Sequence, residues 1–347
     1  MDFEFLERLS NADALASNES EVRDIIKEEL SDFSDCFSYD GIGSLIVTKK
    51  SSIEDAPTIM FAAHMDEVGF MVRYISSIGM AYLMPLGNVE DRAKSMQMVR
   101  VTTNSGQKIK GLLNVEKNPD GTIKNMYVDF GFENDKEVIA SGIDVGNIVT
   151  FDSNYKEMFN EDIVAGKAMD DRSGCWSLVN AFKELKDADL KVNVVAAFTG
   201  SEEVGIRGGR LVSNIVNPDV FFAIDVAKNP ELDRGFMNTR KLGHGPMLEY
   251  FDKTMVPNPK LVHCVKDIAD KFGLDYQKDM LKGGGTDAGT AHLENGGTTS
   301  MVIGFPLRYC HDPYSFASKK DLITMSNLIQ EVSKEFDKKI VSNFYKF

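Results

Sequence analysis

Cysteine is scarce in this chain. Four occur in 347 residues, Cys36, Cys175, Cys264 and Cys310, and no two form a short paired spacing. That argues against a disulfide framework and reads as a reduced, intracellular protein. Basic residues are also short. There are 39 Lys and Arg against 53 Asp and Glu, a net charge of -14. Nucleic acid is excluded as a partner, because binding phosphates needs clustered Lys and Arg. The balance suits a cytosolic enzyme, or one that gathers cations in an acidic interior. No apolar run reaches the roughly 18 residues that suggest a membrane span, so no membrane partner is expected. The segment Met1 to Glu7 is acidic and lacks the charged-then-apolar pattern of a signal peptide. A cytoplasmic location is expected. Repeats and low-complexity tracts are missing too. What remains is an ordinary globular composition, 43% hydrophobic and 27% charged, in a length that suits two domains.

The stretch Val192 to Phe198 is nearly continuous, apolar and rich in β-branched residues. It reads as a strand buried on both faces of a parallel sheet. Two adjacent carboxylates follow, Glu202 and Glu203, then glycines at 205, 208 and 209. Ligands of open α/β sheets sit outside the carboxyl ends of the strands. Ile59 to Ala63 is a second buried strand, ending in His64-Met65-Asp66-Glu67. Val220 to Ile224 is a third, ending in Asp225, and Thr299 to Ile303 a fourth, followed by a loop with His311. Ser44 to Thr48 reads as a short strand. Helices are predicted from a capping-box start at Asn18 to Glu21, over Gly174–Leu185, Leu261–Phe272 and Ala288–Glu294, and after a Ser318 cap. Trp176, Val179, Phe182 and Leu185 should face inward.

From about Val68 to Asp162 the character changes. Short alternating segments with turn signals dominate, among them 98–102, 108–112, 127–130 and 147–151, with a short helix at 137–141. This suggests a small β-barrel or sandwich inserted into an α/β domain. The expected division is 1–67 with 162–347 as the catalytic domain and 68–161 as the insertion. An insertion there need not build the active site.

Each ligand-type residue is weak alone. A lone histidine is more often a surface or satisfied residue, and Asp170-Asp171 suits a helix N-terminus. Recurrence changes the reading, because separate strands converge on one edge and each carries an imidazole or a carboxylate. That mixture suits Zn²⁺, Co²⁺ or Mn²⁺.

The ordered motifs His64-Met65-Asp66-Glu67-Val68-Gly69, Met169-Asp170-Asp171-Arg172, Glu202-Glu203-Val204-Gly205, Ala223-Ile224-Asp225, Gly284-Gly285-Thr286-Asp287-Ala288 and Arg308-Tyr309-Cys310-His311 carry a resemblance over nearly the whole chain. The chain resembles the dinuclear-metal aminopeptidases that include bacterial glutamyl aminopeptidase and the archaeal tetrahedral aminopeptidases. The resemblance implies a mixed-sheet, zinc-exopeptidase-like α/β catalytic domain with an inserted PDZ-like β-barrel dimerisation domain. It implies two divalent ions per chain, Zn²⁺ or Co²⁺ with Mn²⁺ as a further option. His64, Asp170, Asp225, Glu203 and His311 would hold them, with Asp170 as the bridge. Glu202 would be the general base, and Asp66 would orient His64. A cis Asp170-Asp171 peptide is also implied. After His311 comes Asp312-Pro313, where many relatives have Ser-Pro.

The implied activity is removal of N-terminal residues from short peptides, with a glutamyl or aspartyl preference and a leucyl or broad preference as the alternative. The implied assembly is a dimer-based tetrahedral dodecamer, for which Phe130, Phe132 and Ile143 are candidate interface residues. Two readings compete. A glycoside hydrolase needs two carboxyl groups about 5–9.5 Å apart across a sugar. Glu202 and Glu203 are instead sequence neighbours, and one Trp offers no aromatic sugar platform. A non-enzymatic peptide-binding protein would normally have lost a ligand, and none is missing.

Overall fold

The computed structural model describes residues 3–228 and 239–346. Four parallel strands form the centre of an eight-stranded sheet, in the spatial order Asn193–Thr199, Thr58–His64, Val220–Lys228 and Thr299–Leu307. Leu45–Lys49 and Phe37–Tyr39 extend one side. Met247–Asp252 and Gln277–Leu281 extend the other. Leu45–Lys49 and Met247–Asp252 run antiparallel to their central neighbours, so the sheet is mixed.

The apolar runs are continuous because both faces of the sheet are covered. Along Thr58–His64, Ile59, Phe61 and Ala63 pack into a core that includes the helices Met169–Leu185 and Lys319–Glu335. Met60 and Ala62 point the other way, toward Gly208–Val216 and Asp287–Ala291. Burying each large apolar side chain contributes roughly 1.5–3 kcal/mol. Trp176, Val179, Phe182 and Leu185 are buried as expected, and Trp176 stacks on Phe3 with ring centroids 4.8 Å apart. Ser318 caps the C-terminal helix by accepting from the Asp321 amide, the arrangement read from the sequence.

Two local readings change. The helix Ser20–Glu29 has no side-chain cap at its start. Glu19 turns instead toward the loop that carries Glu202, and accepts from the Ser17 and Ser201 amides. The helix expected over Ala288–Glu294 spans Asp287–Ala291.

The insertion is a closed, all-antiparallel barrel. Its strands follow the order Gly69–Ile75, Met80–Leu86, Ile123–Asp129, Lys108–Lys117, Gln97–Thr102 and Ile148–Phe151. Closure leaves this sheet no free edge. Ile143 is buried in the barrel core, and Phe130 and Phe132 pack against that core and each other. Ile143 is therefore an interior residue and not an interface, whereas Phe130 and Phe132 are only partly buried. The outer wall carries Tyr74, Tyr82 and Tyr127 as cross-strand neighbours, with Met84 exposed nearby.

Candidate metal centre

The parallel strands bring four chain segments to one edge. His64 ends its strand and lies in register with Thr199. Glu202 and Glu203 follow Thr199 directly, through a left-handed Ser201. Asp225 lies on the next strand opposite Gly304. Asp170 enters from the start of the helix Met169–Leu185, through a cis Asp170-Asp171 peptide. His311 sits in the loop after Thr299–Leu307, where both Tyr309 and His311 adopt positive φ.

The side chains converge on Asp170. His64 Nε2 lies 3.0 Å from Asp170 Oδ1, and His311 Nε2 lies 3.1 Å from Asp170 Oδ2. Glu203 Oε1 is 3.3 Å from His311 Nε2, and Cys310 Sγ is 3.1 Å from Asp170 Oδ2. Two ligand groups result. His64, Asp170 and Asp225 offer atoms within 4.8 Å of one another, and so do Asp170, Cys310 and His311. Asp170 belongs to both, one oxygen facing each imidazole.

Asp66 acts on this site twice. Its main-chain oxygen is 3.0 Å from His64 Nδ1, whereas its carboxylate is 3.7 Å from that nitrogen. The carboxylate oxygens accept from the amides of Glu202 at 3.0 Å and Glu203 at 3.1 Å. Asp66 therefore fixes the ring of His64 and the backbone of the two glutamates together.

The cluster is short of positive charge. Burial pushes the carboxyls of Glu202, Glu203, Asp225 and Asp171 above their ordinary values, and neighbouring carboxylates push further. Burial alone would lower the His64 imidazole. The Asp170 hydrogen bond and the surrounding acids reverse this and raise it well above normal. Burial likewise opposes ionisation of Asp170, yet the two histidines outweigh it and hold this carboxyl low. Buried acids raised toward protonation around one ionised carboxylate form a site that bound cations relieve. Nitrogen and oxygen donors in two sets with a shared carboxylate fit a pair of divalent ions.

Two supporting residues, Asn88 and Arg92, gave no sequence signal. Asn88, in the insertion, accepts from His311 Nδ1 through its main-chain oxygen at 2.9 Å. Arg92, also in the insertion, donates from Nε to both oxygens of Asp312, at 3.0 and 2.9 Å. The unusual Asp312 is thus paired, and the insertion does help to build the site, contrary to the sequence expectation. Asp287 accepts from Thr199 Oγ1 and the Gly209 amide. A Cβ at Gly209 would lie 2.5 Å from that of Asp287, so only glycine allows this approach.

A cavity of about 870 Å³ opens over the cluster. His64, Asp170, Glu202, Glu203, Asp225 and His311 all line it. Its outer wall includes Lys228, Arg240, Phe251, Met280 and Lys282. Among the described residues, no helix is long and apolar enough to cross a membrane.

A mixed sheet with histidines and carboxylates gathered at its parallel strand ends, and a cavity above them, defines a metal-dependent peptide hydrolase. The particular group follows from comparison: the chain belongs to the M42 glutamyl aminopeptidase family, whose model matches residues 43–328. It is 32% identical over 342 residues to the glutamyl aminopeptidase of Lactococcus lactis, covering 95% of each protein. A TET aminopeptidase from a marine-sediment Thaumarchaeota archaeon superposes with a TM-score of 0.94 at 31% identity, covering 99% of both chains. The TET1 peptidase of Pyrococcus horikoshii, which can assemble into a tetrahedron or a large octahedral shell, gives a TM-score of 0.87 at 28% identity, covering 96% of this chain and 99% of that one. The chain is an aminopeptidase, which sets aside the glycosidase and non-enzymatic readings.

Proposed function

We propose that this aminopeptidase holds two divalent ions and removes acidic residues from the N-termini of short peptides. The observation that carries the reading is Asp170, which belongs to both ligand groups. His64 and Asp225 would complete one side, and Glu203 and His311 the other. The imidazole and carboxylate donors suit Zn²⁺ or Co²⁺, with Mn²⁺ also accommodated. Bound ions activate a water and polarise the scissile carbonyl.

The chain's own groups divide the remaining work. Glu202 lines the cavity, and burial raises its carboxyl above the ordinary value. It takes the proton from the attacking water and passes it to the leaving amine. Asp66 keeps Glu202 and His64 in mutual register through the contacts described above. Burial excludes bulk water and strengthens each of these interactions.

Substrate preference follows from the outer wall. Lys228 pairs with Glu90, and Arg240 with Asp279. Lys282 has no carboxylate partner among the described residues. It is the group best placed to meet an acidic first residue, which agrees with the name of the L. lactis relative. Phe251, Met280 and Leu281 give the same wall an apolar portion, which supports a leucyl preference as the second reading. For assembly, we favour a dimer-based dodecamer, as TET1 has been solved in dodecameric form. The Tyr74, Tyr82 and Tyr127 wall of the barrel is the apolar face available to it.

A panel of aminoacyl anilides assayed after loading with Zn²⁺, Co²⁺ or Mn²⁺ tests the activity, alongside elemental analysis. Two ions per chain and highest kcat/KM on the glutamyl substrate are expected. Lys282→Ala should lower glutamyl turnover and spare leucyl turnover. Full activity in exhaustively metal-free protein would overturn the chemistry. Light scattering tests the assembly, and a fully active monomer would rule out the shell.

A further inference from the structure

The loop that delivers His311 also delivers a sulfur. Cys310 is buried and lines the cavity. Its Sγ lies 3.1 Å from Asp170 Oδ2, the same oxygen that His311 Nε2 meets at 3.1 Å. Sulfur, nitrogen and oxygen therefore converge as one ligand group. Two consecutive side chains can face one point because the backbone turns sharply there, with Tyr309 and His311 both left-handed around Cys310. The other cysteines are placed differently. Cys36 is exposed, Cys264 is half-buried outside the cavity lining, and Cys175 Sγ faces the main-chain oxygen of His64.

The geometry points to Cys310 as a further ligand of the ion shared by Asp170, Glu203 and His311, making that side of the pair a sulfur-containing site. This rests on the two-metal reading above. On binding, the S–H bond breaks, the proton leaves to solvent, and the thiolate lone pair forms the bond to the cation. Metal binding at thiols releases protons in this way. A soft thiolate beside imidazole and carboxylate favours Zn²⁺ or Co²⁺ over Mn²⁺. The two ion positions would then differ in kind. The His64 side is all nitrogen and oxygen, and the His311 side would hold its ion more selectively.

The alternative is that Cys310 stays a thiol and donates a hydrogen bond to Asp170. Spectroscopy separates the two without relying on activity. Co²⁺-loaded wild type should show a thiolate-to-metal charge-transfer band in the near ultraviolet. Cys310→Ser should lose the band, and Cys36→Ser should keep it. The Zn²⁺-over-Mn²⁺ preference of Cys310→Ser should fall at least tenfold. X-ray absorption on Zn²⁺-loaded wild type needs no variant. It should find a sulfur scatterer near 2.3 Å, distinct from nitrogen and oxygen at about 2.0–2.2 Å. Absence of sulfur in that shell, or a band that survives in Cys310→Ser, overturns the assignment. Elemental analysis separates this from failure of the two-metal reading, since two ions bound with no sulfur contact would refute only the role of Cys310.

Discussion

Two buried charged clusters flank the turn His64 to Glu67, and they are built on opposite plans. On one side, Asp66, Asp170, Asp171, Glu202, Glu203 and Asp225 surround, among the described residues, only His64 and His311. On the other, acids and bases alternate. Arg100, Lys108 and Lys167 all reach Asp13, the first with Nε at 2.7 Å and the others at 2.8 and 3.1 Å. Lys167 continues to Glu67 at 2.6 Å, Arg172 reaches Glu67 at 3.3 Å, and Arg100 also reaches Asp152 at 3.1 Å. The balanced cluster joins the N-terminal segment, the barrel and the catalytic sheet. Each of its charges has a partner within the chain. The unbalanced cluster leaves acids whose neighbours raise them further. Burial is common to both, so burial alone does not mark a functional site. The marker is an imbalance that the protein itself does not correct.

Substitutions can break this contrast. The largest effect is expected at Glu202. Glu202→Gln should lower kcat by about 10²–10⁴-fold with both ions retained, as loss of a general acid–base group does. Glu203→Gln should instead lower the ion content. Activity and elemental analysis on the same preparations check this, and the reverse pattern would exchange the two roles.

In the balanced cluster the loss should appear as stability. Asp13→Ala leaves Arg100 and Lys167 buried with one partner fewer. Breaking a buried ion network from one side costs about 3–5 kcal/mol. Urea unfolding should report a loss of that order. An unchanged midpoint would show that the network is not what joins the barrel to the sheet.

Glu249 sharpens the comparison by pH. It is a buried acid away from both clusters. Neither of its carboxyl oxygens has a donor among the described residues, and the neighbouring Asp279 is itself an acceptor. Burial, with the Asp279 charge, pushes its carboxyl up to about 9. The folded protein therefore keeps this proton where the unfolded chain has released it. Between about pH 5 and pH 9 the unfolded state binds fewer protons, so this group lowers stability as pH rises. The slope is at most about 1.4 kcal/mol per pH unit. Glu249→Gln should flatten the decline seen by denaturant unfolding across that range. An identical slope in the variant would mean that Glu249 is already ionised when folded.

The smallest effect is expected at Arg92, which is half-exposed and reaches the His311 loop through Asp312 and the ring of Tyr309. Arg92→Ala should lower kcat a few-fold with little change in global stability. A loss as large as that of Glu202→Gln would give the barrel a direct part in turnover.

The sequence carried the convergence but not its scaffolding. Strands buried on both faces read as uniform apolar runs, so the ligand-type residues just beyond them stood out. His64, Glu202, Glu203, Asp225 and His311 stood out for that reason, whereas Asp170, which precedes a helix, and the division between ligands and base were implied only by the family resemblance; the structure brings these side chains together. Asn88 was not legible, because it acts through a main-chain oxygen that any residue could present. Arg92 and Asp312 meet across 220 residues, and nothing local marks such a pair. Cys310 was read for disulfide potential and as part of the Arg308 to His311 motif but not as a ligand, since its approach to Asp170 depends on a backbone turn. Ile143 was read as an interface candidate, and is buried instead, because alternation fixes two faces but does not say which one closes inward.

The candidate ligands are scattered along the chain. His64 and Asp170 lie 106 residues apart, and Asp170 and Cys310 140 apart. During synthesis, no N-terminal portion that ends before His311 contains the whole set. Contacts so distant in sequence form late, because each requires the intervening chain to be ordered first. Catalytic power should therefore switch on only when the last strand of the central sheet has joined and its following loop has settled. A degradative enzyme built this way is inert while it is itself an unfolded peptide, and recovery of turnover on refolding is a measure of native topology completed from end to end.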